Sequence, residues 1–148
     1  MDELTQHRVA APGLTATQLY ALLQLRSEVF VVEQACSYLD PDGRDLEAGT
    51  IHLWLAAADG TVAAYVRVLH EPGGGRRIGR VVTAPSRRGR GLAGRLIDDV
   101  LAWAEAPVVL DAQSHLVTVY QRHGFVADGA EFVEDGIPHT PMRFDARS

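Results

Sequence analysis

The sequence predicts an α/β protein of the α+β kind, in which helices flank a mixed, mostly antiparallel central sheet. Two observations predict this class. Segments with the period of an amphipathic helix alternate along the chain with short β-prone segments. An Asp-Gly pair, which strongly favours a two-residue hairpin turn, joins two of the β-prone segments and so predicts antiparallel strands.

The first predicted helix covers residues 16 to about 32. Thr15 is a favoured N-cap residue, and apolar side chains follow it at spacings of three and four as far as Phe30, interrupted by Arg26. Residues 33–49 then have the Asp, Pro and Gly content of a loop with tight turns. We expect this loop to lie on the substrate side of the protein.

A meander of three strands is predicted next. Apolar segments at 51–58 and 61–69 flank the pair Asp59-Gly60, and a Pro-Gly-Gly-Gly turn separates them from a third segment at 76–83. Because all three segments are rich in β-prone residues, we expect three neighbouring antiparallel strands.

The second half of the chain alternates helices with strands. Its first helix is amphipathic and stops before Pro107, and the short helix that follows ends at a His-Gly pair typical of a C-cap. A polar connection at 134–138 joins the last two strands. The predicted elements are a helix at 91–104, a strand at 108–112, a helix at 116–122 and strands at 125–133 and 139–144.

Length and composition fit one globular domain at 1–148. The 148 residues are 47% hydrophobic and 22% charged, which excludes a disordered or collagen-like chain. Apolar stretches fall short of the roughly 18 residues of a membrane span. The start of the chain also lacks the basic and apolar segments of a secretory signal. We therefore expect a cytoplasmic protein that binds no membrane.

Cysteine and histidine positions argue against a disulfide and against a metal site. Cys36 is the only cysteine, which excludes an intrachain disulfide and a thiolate-rich site. The six histidines show no paired metal-binding spacing. The acids around Asp42 do not fit a calcium loop, because Gly43 stands at the wrong position. We expect no metal.

A glycine-rich turn between a strand and a helix is the feature that suggests chemistry. All 14 basic residues are arginines, and half of them lie between 76 and 95. Within that window, the strand at 76–83 runs into Gly89-Arg90-Gly91-Leu92-Ala93-Gly94 at a helix start. Free N–H groups at a helix N-terminus, small residues and nearby arginines together favour a phosphate or pyrophosphate ligand.

Three other interpretations of this turn are a dinucleotide site, a nucleic-acid contact strip and a purely structural turn. The formal G-x-G-x-x-G could bind a dinucleotide, but that fingerprint belongs to a parallel βαβ unit and here follows a meander. A nucleic-acid contact strip fits poorly with a net charge of −5 and with the lack of aromatic residues among the arginines. The turn could also be purely structural.

At this turn the sequence resembles the GCN5-related N-acetyltransferases, the GNAT superfamily. Arg88-Gly-Arg-Gly-Leu-Ala93 is similar to the Q/R-x-x-G-x-G/A signature of that superfamily, and Tyr120-Gln-Arg-His-Gly-Phe125 is similar to its Y-x-x-x-G-F ending. The order of predicted elements resembles the GNAT fold. Three segments resemble the ElaA branch in particular, namely 26–34, 42–45 and 135–139.

The resemblance implies an N-acetyltransferase that moves an acetyl group from acetyl-CoA to a primary amine by direct attack in a ternary complex. It also implies a bulge in strand 76–83, which splays this strand from the next parallel strand and opens a cleft for the thioester. The backbone of Val81, Val82 and Thr83 would lie beside the pantetheine arm. The N–H groups that would hold the pyrophosphate are those of Arg88, Gly89, Arg90, Gly91, Leu92, Ala93 and Gly94.

Catalytic roles also follow from the resemblance. Tyr120 stands where the family often has a tyrosine that protonates the leaving thiolate, although it could instead be a core residue packed on the cofactor. Gln113 replaces an asparagine that contacts pantetheine in many relatives. For the general base we favour Glu33 and His139, because both lie in ElaA-like segments at expected cleft edges. Further candidates for the base are His52, Glu131, Glu134 and water.

The sequence leaves the acceptor and the partners open. The acidic loop 40–47 would suit a cationic amine, although such loops are commonly solvated turns. A small amine, a peptide N-terminus and a protein lysine all remain candidates. A catalytically weak acyl-CoA-binding or sensing module is the alternative function. Relatives are often dimers, and a strand within 125–144 could pair across a two-fold axis to form a homodimer.

Overall fold

This computed structural model describes residues 3–146 of the chain. These residues include eight strands and three α-helices. The strands are β1 (Thr5–Ala10), β2 (Ile51–Ala56), β3 (Val62–His70), β4 (Arg76–Thr83), β5 (Val108–Gln113), β6 (Val126–Ala127), β7 (Phe132–Glu134) and β8 (Ile137–Phe144). The helices are α1 (Ala16–Arg26), α2 (Leu92–Trp103) and α3 (Val117–Gln121). Met1, Asp2, Arg147 and Ser148, which belong to the predicted domain 1–148, lie outside the described residues.

All eight strands join one sheet. Its order is β1-β2-β3-β4-β5-β8-β6, and β7 pairs with β8 beside this path. The neighbouring strands pair in antiparallel fashion except β4 and β5, which are parallel and are connected through α2. The predicted class, a mixed and mostly antiparallel sheet flanked by helices, is confirmed.

Helices α1 and α2 cover opposite faces of the sheet. Alternate residues of a strand point to opposite faces, so each helix packs on a different set of strand residues. The α2 face is built on a core that includes Leu53, Val66, Leu96, Ile97 and Val100. The α1 face is built on a smaller core that includes Leu22, Leu25, Trp54, Tyr65 and Val82. Among residues 3–146, none of the helices is long and apolar enough to span a membrane.

Helix α1 begins at a capping box, and Thr15 is its N-cap as predicted. The Thr15 hydroxyl accepts a hydrogen bond from the Gln18 N–H, and the Gln18 side chain accepts one from the Thr15 N–H, each 3.0 Å long. The helical backbone continues past Arg26 as a π-helix over Ser27–Glu33. The predicted extent to about residue 32 is therefore right, whereas the wider winding of its last turns was not predicted.

The sequence analysis missed β1. This strand lies at the edge of the sheet, and all six of its residues are exposed or only partly buried. Thr5–Ala10 consequently needs no apolar run, which is the signal used to find the other strands.

The predicted pattern at the C-terminal end is also wrong in part. The strand expected at 125–133 is divided into β6 and β7, with Gly129 between them at φ 152°. The connection expected at 134–138 is much shorter, because Asp135-Gly136 forms a two-residue turn and β8 already begins at Ile137.

Candidate functional site

Strand β4 carries a bulge at Arg80. Gly79 lies opposite Arg67 and Val82 lies opposite Tyr65, so two β4 residues face a single β3 residue between these pairs. Arg80 has a φ of 51°, which turns the backbone out of the regular strand path. The bulge that the family resemblance implied is therefore present.

Strands β4 and β5 diverge toward their C-terminal ends. Their parallel pairing is confined to Arg76 opposite Val108 and Arg77 opposite Val109. Both strands continue to their ends with no further mutual pair in the described chain. The two splayed strands therefore leave backbone N–H and C=O groups facing the cleft between them.

The glycine-rich turn leads from β4 into α2. Gly89 and Gly91 have φ values of 82° and 68°, a conformation that residues with a Cβ rarely adopt. A Cβ on either residue would meet no atom within 4 Å, so the backbone conformation rather than packing requires glycine. Gly94 differs, since a Cβ there would lie 3.2 Å from the His123 ring.

The start of α2 presents free N–H groups. Gly91 is the N-cap, and a hydrogen bond of 3.1 Å from the Arg95 N–H to the Gly91 carbonyl is the first of the helical series. The N–H groups of Leu92, Ala93 and Gly94 precede that bond and so have no i−4 acceptor within the helix. With the positive end of the helix dipole, this geometry suits an anion.

Glu33 and Arg88 join the end of the π-helix to the glycine-rich turn. The Arg88 guanidinium donates two hydrogen bonds to the Glu33 carboxylate, at 2.5 and 2.8 Å. These hydrogen bonds lower the pKa of Glu33. Glu33 therefore lies beside the predicted pyrophosphate site and is a weaker base than an unpaired carboxylate.

Tyr120 lies in α3 with its side chain almost fully buried. Its ring meets the Phe125 ring edge-on, with 6.0 Å between the ring centres. Burial raises the pKa of Tyr120 to about 12. Within the described chain its hydroxyl has no hydrogen-bond partner. The phenol is therefore protonated at neutral pH and free to donate its proton to a ligand.

Gln113 and His139 lie opposite each other where β5 ends. They form a residue pair between β5 and β8. The Gln113 amide approaches the Gln34 side chain at 3.5 Å. His139 Nδ1 lies 2.8 Å from the Ile137 carbonyl, which can only accept, so Nδ1 carries a proton and Nε2 is the basic nitrogen of the neutral ring. The ring also stacks on Phe132.

The other base candidates lie in two different environments, the buried core and the exposed surface. His52 is fully buried, and burial lowers its pKa. Its Nε2–H donates to the Asp45 carbonyl at 2.8 Å, and its Nδ1 accepts from the Tyr65 hydroxyl at 2.6 Å, so both nitrogens are engaged in the core. Glu131 and Glu134 are exposed at or beside β7.

The acidic loop is not the solvated turn that such a composition usually forms. Its aspartates pair with arginines from α1, β3 and β4. The pairs are Arg26 with Asp40 at 2.9 Å and with Asp45 at 2.6 Å, Arg67 with Asp42 at 2.8 Å and with Asp45 at 3.0 Å, and Arg80 with Asp40 at 2.9 Å. Three negative charges are thereby balanced by three positive ones, with Asp40 and Asp45 buried and Asp42 exposed.

Sequence reasoning missed these arginines, although a signal existed. Arg26 interrupts an apolar helical pattern and Arg67 lies inside an apolar strand, yet they are only 0% and 3% exposed. A charged side chain in such a pattern must be paired when it is buried. Burial alone would raise the pKa of Asp45, but hydrogen bonds from Arg26 and Arg67 lower it, so this carboxylate stays ionised.

Two surface hollows are found, one beside the paired ends of β4 and β5 and one beside α1. One of about 530 Å³ is bordered by Arg77, Asp111 and Arg143. The other, of about 980 Å³, follows α1 and the β2–β3 turn. Neither is lined by Tyr120, Gln113 or the glycine-rich turn. The candidate site is therefore the splayed β4–β5 cleft with the turn that follows β4.

Comparisons with known sequences identify the family of the chain. The family model described as "Acetyltransferase (GNAT) domain" matches residues 16–146. A UPF0039 protein of Mycobacterium tuberculosis (strain ATCC 25618 / H37Rv) is 51% identical over 139 residues, which cover 91% of this chain and 89% of that protein. Protein ElaA of Escherichia coli (strain K12) is 42% identical over 139 residues, covering 87% of this chain and 88% of that protein.

Solved structures show the same relationship. An acyl-CoA N-acyltransferase from Pseudomonas aeruginosa has a TM-score of 0.89 and 44% identity, covering 96% of this chain and 99% of that chain. Escherichia coli ElaA has a TM-score of 0.89 and 37% identity, covering 97% of this chain and 100% of that chain. With a family match that spans most of its length and relatives of this similarity, the chain belongs to the GNAT family of acyl-CoA-dependent acyltransferases, in its ElaA-like branch.

Proposed function

We propose that this protein is an N-acetyltransferase that moves the acetyl group of acetyl-CoA to a primary amine by direct attack in a ternary complex. The observation that supports this most strongly is the continuity of β4. One strand carries the bulge, borders the open cleft and leads into the anion-binding turn at the start of α2. Acetyl-CoA carries a thioester, a long pantetheine arm and a pyrophosphate in this order. The bulge, the open cleft and the turn would bind these three parts in the same order.

Cofactor binding follows from that order. The strand residues Val81, Val82 and Thr83 lie beyond the last β4–β5 pair, so their backbone groups can bind the amide groups of the pantetheine arm. The pyrophosphate would accept hydrogen bonds from the N–H groups of the turn and of the first turn of α2. Gln113, at the opposite wall of the cleft, offers an amide to the same arm.

The reaction needs two proton transfers. The neutral amine nitrogen attacks the thioester carbonyl carbon, a C–N bond forms and the C–S bond breaks. The nitrogen loses a proton to a base, and the leaving thiolate takes a proton from the Tyr120 hydroxyl. A backbone N–H at the bulge would stabilise the negative charge that develops on the carbonyl oxygen.

His139 is the better supported of the two base candidates. Its Nδ1–H donates to the Ile137 carbonyl, which leaves Nε2 with the lone pair. Glu33 instead holds Arg88 through both of its oxygens, and this pairing lowers its pKa. Both effects favour proton transfer to His139, directly or through water.

Calorimetric titration tests the proposal. The purified protein is titrated with acetyl-CoA and, separately, with NADH, and thiol release is then followed over a panel of small amines, peptide N-termini and lysine peptides. We expect binding of acetyl-CoA alone and thiol release with at least one amine class. Binding without release on any amine would support the sensing module instead, and failure to bind acetyl-CoA would overturn the proposal.

A further inference from the structure

We propose that Arg80 is a positioning residue whose side chain keeps the bulge of β4 in its open conformation. The inference deepens the proposed function and rests on it, because the bulge lies at the mouth of the acyl-CoA cleft. It is carried by a set of contacts that we name the bulge clamp, formed by Tyr38, Asp40, Asp42 and Arg80.

The backbone of Arg80 is in an unfavourable conformation. Its φ of 51° lies in the left-handed region, where a Cβ crowds the adjacent carbonyl oxygen. Two further non-glycine residues of the described chain share this property, Ala35 and Asp135, and both lie outside strands. A strand residue in this conformation persists only where its surroundings hold it there.

The Arg80 side chain supplies that restraint. Its Nε donates to Asp40 Oδ1 at 2.9 Å, and its Nη2 donates to the Asp40 carbonyl at 3.1 Å and to Asp42 Oδ2 at 3.3 Å. Its guanidinium also lies over the Tyr38 ring, 5.4 Å from the ring centre. One short segment of the loop therefore holds the head of this side chain on several sides.

Asp40 is itself firmly held. It is 1% exposed, and its second oxygen, Oδ2, accepts a hydrogen bond from Arg26 Nε at 2.9 Å. Its carbonyl accepts another from Arg26 Nη2 at 3.0 Å. Because Arg26 is the last residue of α1 and is fully buried, one carboxylate connects the end of that helix to the bulge.

The bulge and the cleft depend on each other. If Arg80 relaxed to the extended conformation, β4 would regain a regular path and could pair with β5 beyond Val109, which would narrow the cleft. Arg77 provides the contrast within the same strand. It also binds two carboxylates, those of Glu71 and Asp111, but it lies where β4 and β5 are already paired.

Substitutions at these two arginines form the test. Acetyl-CoA affinity is measured by calorimetry for Arg80→Ala, Arg80→Gly and the matched control Arg77→Ala. We expect Arg80→Ala to weaken binding by about tenfold or more, because alanine favours the extended backbone and the clamp is lost. Arg80→Gly should stay within about threefold of the unchanged protein, since glycine reaches positive φ without a clamp. Arg77→Ala should bind as the unchanged protein does.

The kinetic readout separates positioning from a loss of general stability. Arg80→Ala should raise the KM for acetyl-CoA while the KM for the amine changes little, and Arg80→Gly should restore the acetyl-CoA value. Equal affinities of Arg80→Ala and Arg77→Ala would overturn the proposal, as would an Arg80→Gly protein that loses as much affinity as Arg80→Ala. If Arg80→Ala does not fold, Arg80→Gln takes its place with the same expectation.

Failure of the proposed function can be told apart from failure of this inference. A protein that binds acetyl-CoA and acetylates no amine disproves the enzyme, but the affinities still decide the role of Arg80. If acetyl-CoA does not bind at all, amide hydrogen exchange between Ile78 and Thr83 decides it. Slower exchange in Arg80→Ala than in Arg77→Ala and Arg80→Gly supports the clamp, and identical exchange in all three overturns it.

Discussion

Tyr120 is the proposed proton donor, and its acid strength is set by burial. Its pKa, raised to about 12 by burial, keeps the phenol protonated across the physiological range and makes it a weaker acid than an exposed tyrosine. It therefore keeps its proton until negative charge develops on the leaving sulfur beside it.

Replacing Tyr120 with phenylalanine should lower kcat by about 10²-fold, the usual contribution of a general acid. Acetyl-CoA affinity should not change, because only the hydroxyl is removed. The measurement is steady-state turnover together with calorimetric affinity. Tyr20→Phe, at an exposed site on α1, is the control. Unchanged turnover in Tyr120→Phe would make Tyr120 a packing residue only.

Substitutions of the two base candidates should have different effects on kcat. His139→Gln should lower kcat by about 10²-fold, because Nδ1 donates to the Ile137 carbonyl and leaves the lone pair on Nε2. Glu33→Gln should change kcat by less than about threefold, because this carboxylate is already held by Arg88. Both are measured at saturating amine and acetyl-CoA. A larger loss in Glu33→Gln would assign the base to Glu33.

For single residues, the sequence could predict candidate site residues but not the residues with which they form hydrogen bonds. Glu33 and Tyr120 could be selected from their positions in family-like segments. The pairing of Glu33 with Arg88 joins residues 55 positions apart in the chain, and no local pattern encodes it. The same holds for Arg80, whose partner Asp40 is 40 positions away.

At the scale of elements, the glycine-rich turn depends on backbone conformation rather than on side chains. Its positive φ values at Gly89 and Gly91 direct the N–H groups, and the open space around both residues leaves room for a ligand. The small residues between β4 and α2 were therefore sufficient to predict the turn, and its pyrophosphate ligand stays a prediction.

Gly91→Glu should weaken acetyl-CoA binding by about tenfold or more, since it adds a carboxylate next to the pyrophosphate site. The matched control is Gly60→Glu, because Gly60 also has a positive φ, of 88°, with no atom within 4 Å of a Cβ, and lies in the β2–β3 turn. Both variants place a side chain at a positive φ and add the same charge. Calorimetric affinities that are equal for the two variants would place the pyrophosphate elsewhere.

Elements were predictable where one local signal dominates. The meander, α2 and β5 follow from apolar runs and turn residues, and their observed bounds lie close to the predicted ones. The errors occur where tertiary pairing decides, as in β1 at the sheet edge and in the division of 125–133 at Gly129. The β7–β8 turn is a different case, since Asp135-Gly136 carries the same signal that correctly located the hairpin at Asp59-Gly60.

At the scale of the whole molecule, buried polar groups connect the 34–50 segment to the sheet. Arg26 and Arg67 form ion pairs with its aspartates, and His52 of β2 donates a hydrogen bond to the Asp45 carbonyl. The loop that borders the candidate site is thus fixed by hydrogen bonds and ion pairs rather than by an apolar core. Its order should therefore depend on the protonation of these groups.

His52 gives this dependence a defined pH range. Burial lowers its pKa, and the charges of Arg26 and Arg67 act in the same direction. The unfolded chain binds a proton at His52 below about pH 6.5, whereas the folded protein resists it, so the free energy of unfolding should fall as pH decreases from about 6.5 toward the lowered pKa. The loss for one histidine is at most about 1.4 kcal/mol per pH unit.

Asp42 and Asp45 should act in a separate range. Burial opposes their ionisation, but hydrogen bonds from the arginines lower the pKa of both below the ordinary value near 3.8. Their contribution is therefore complete above about pH 4 and is lost only below it.

Denaturant unfolding between pH 5 and 8 measures the part due to His52. His52→Gln keeps an amide donor for the Asp45 carbonyl and an acceptor for the Tyr65 hydroxyl, but it cannot titrate. We expect the slope of unfolding free energy against pH between 5 and 6.5 to decrease in this variant and to persist in His115→Gln, which changes an exposed histidine. A slope that is the same in both variants would show that the decline below pH 6.5 arises outside the connection between His52 and the loop.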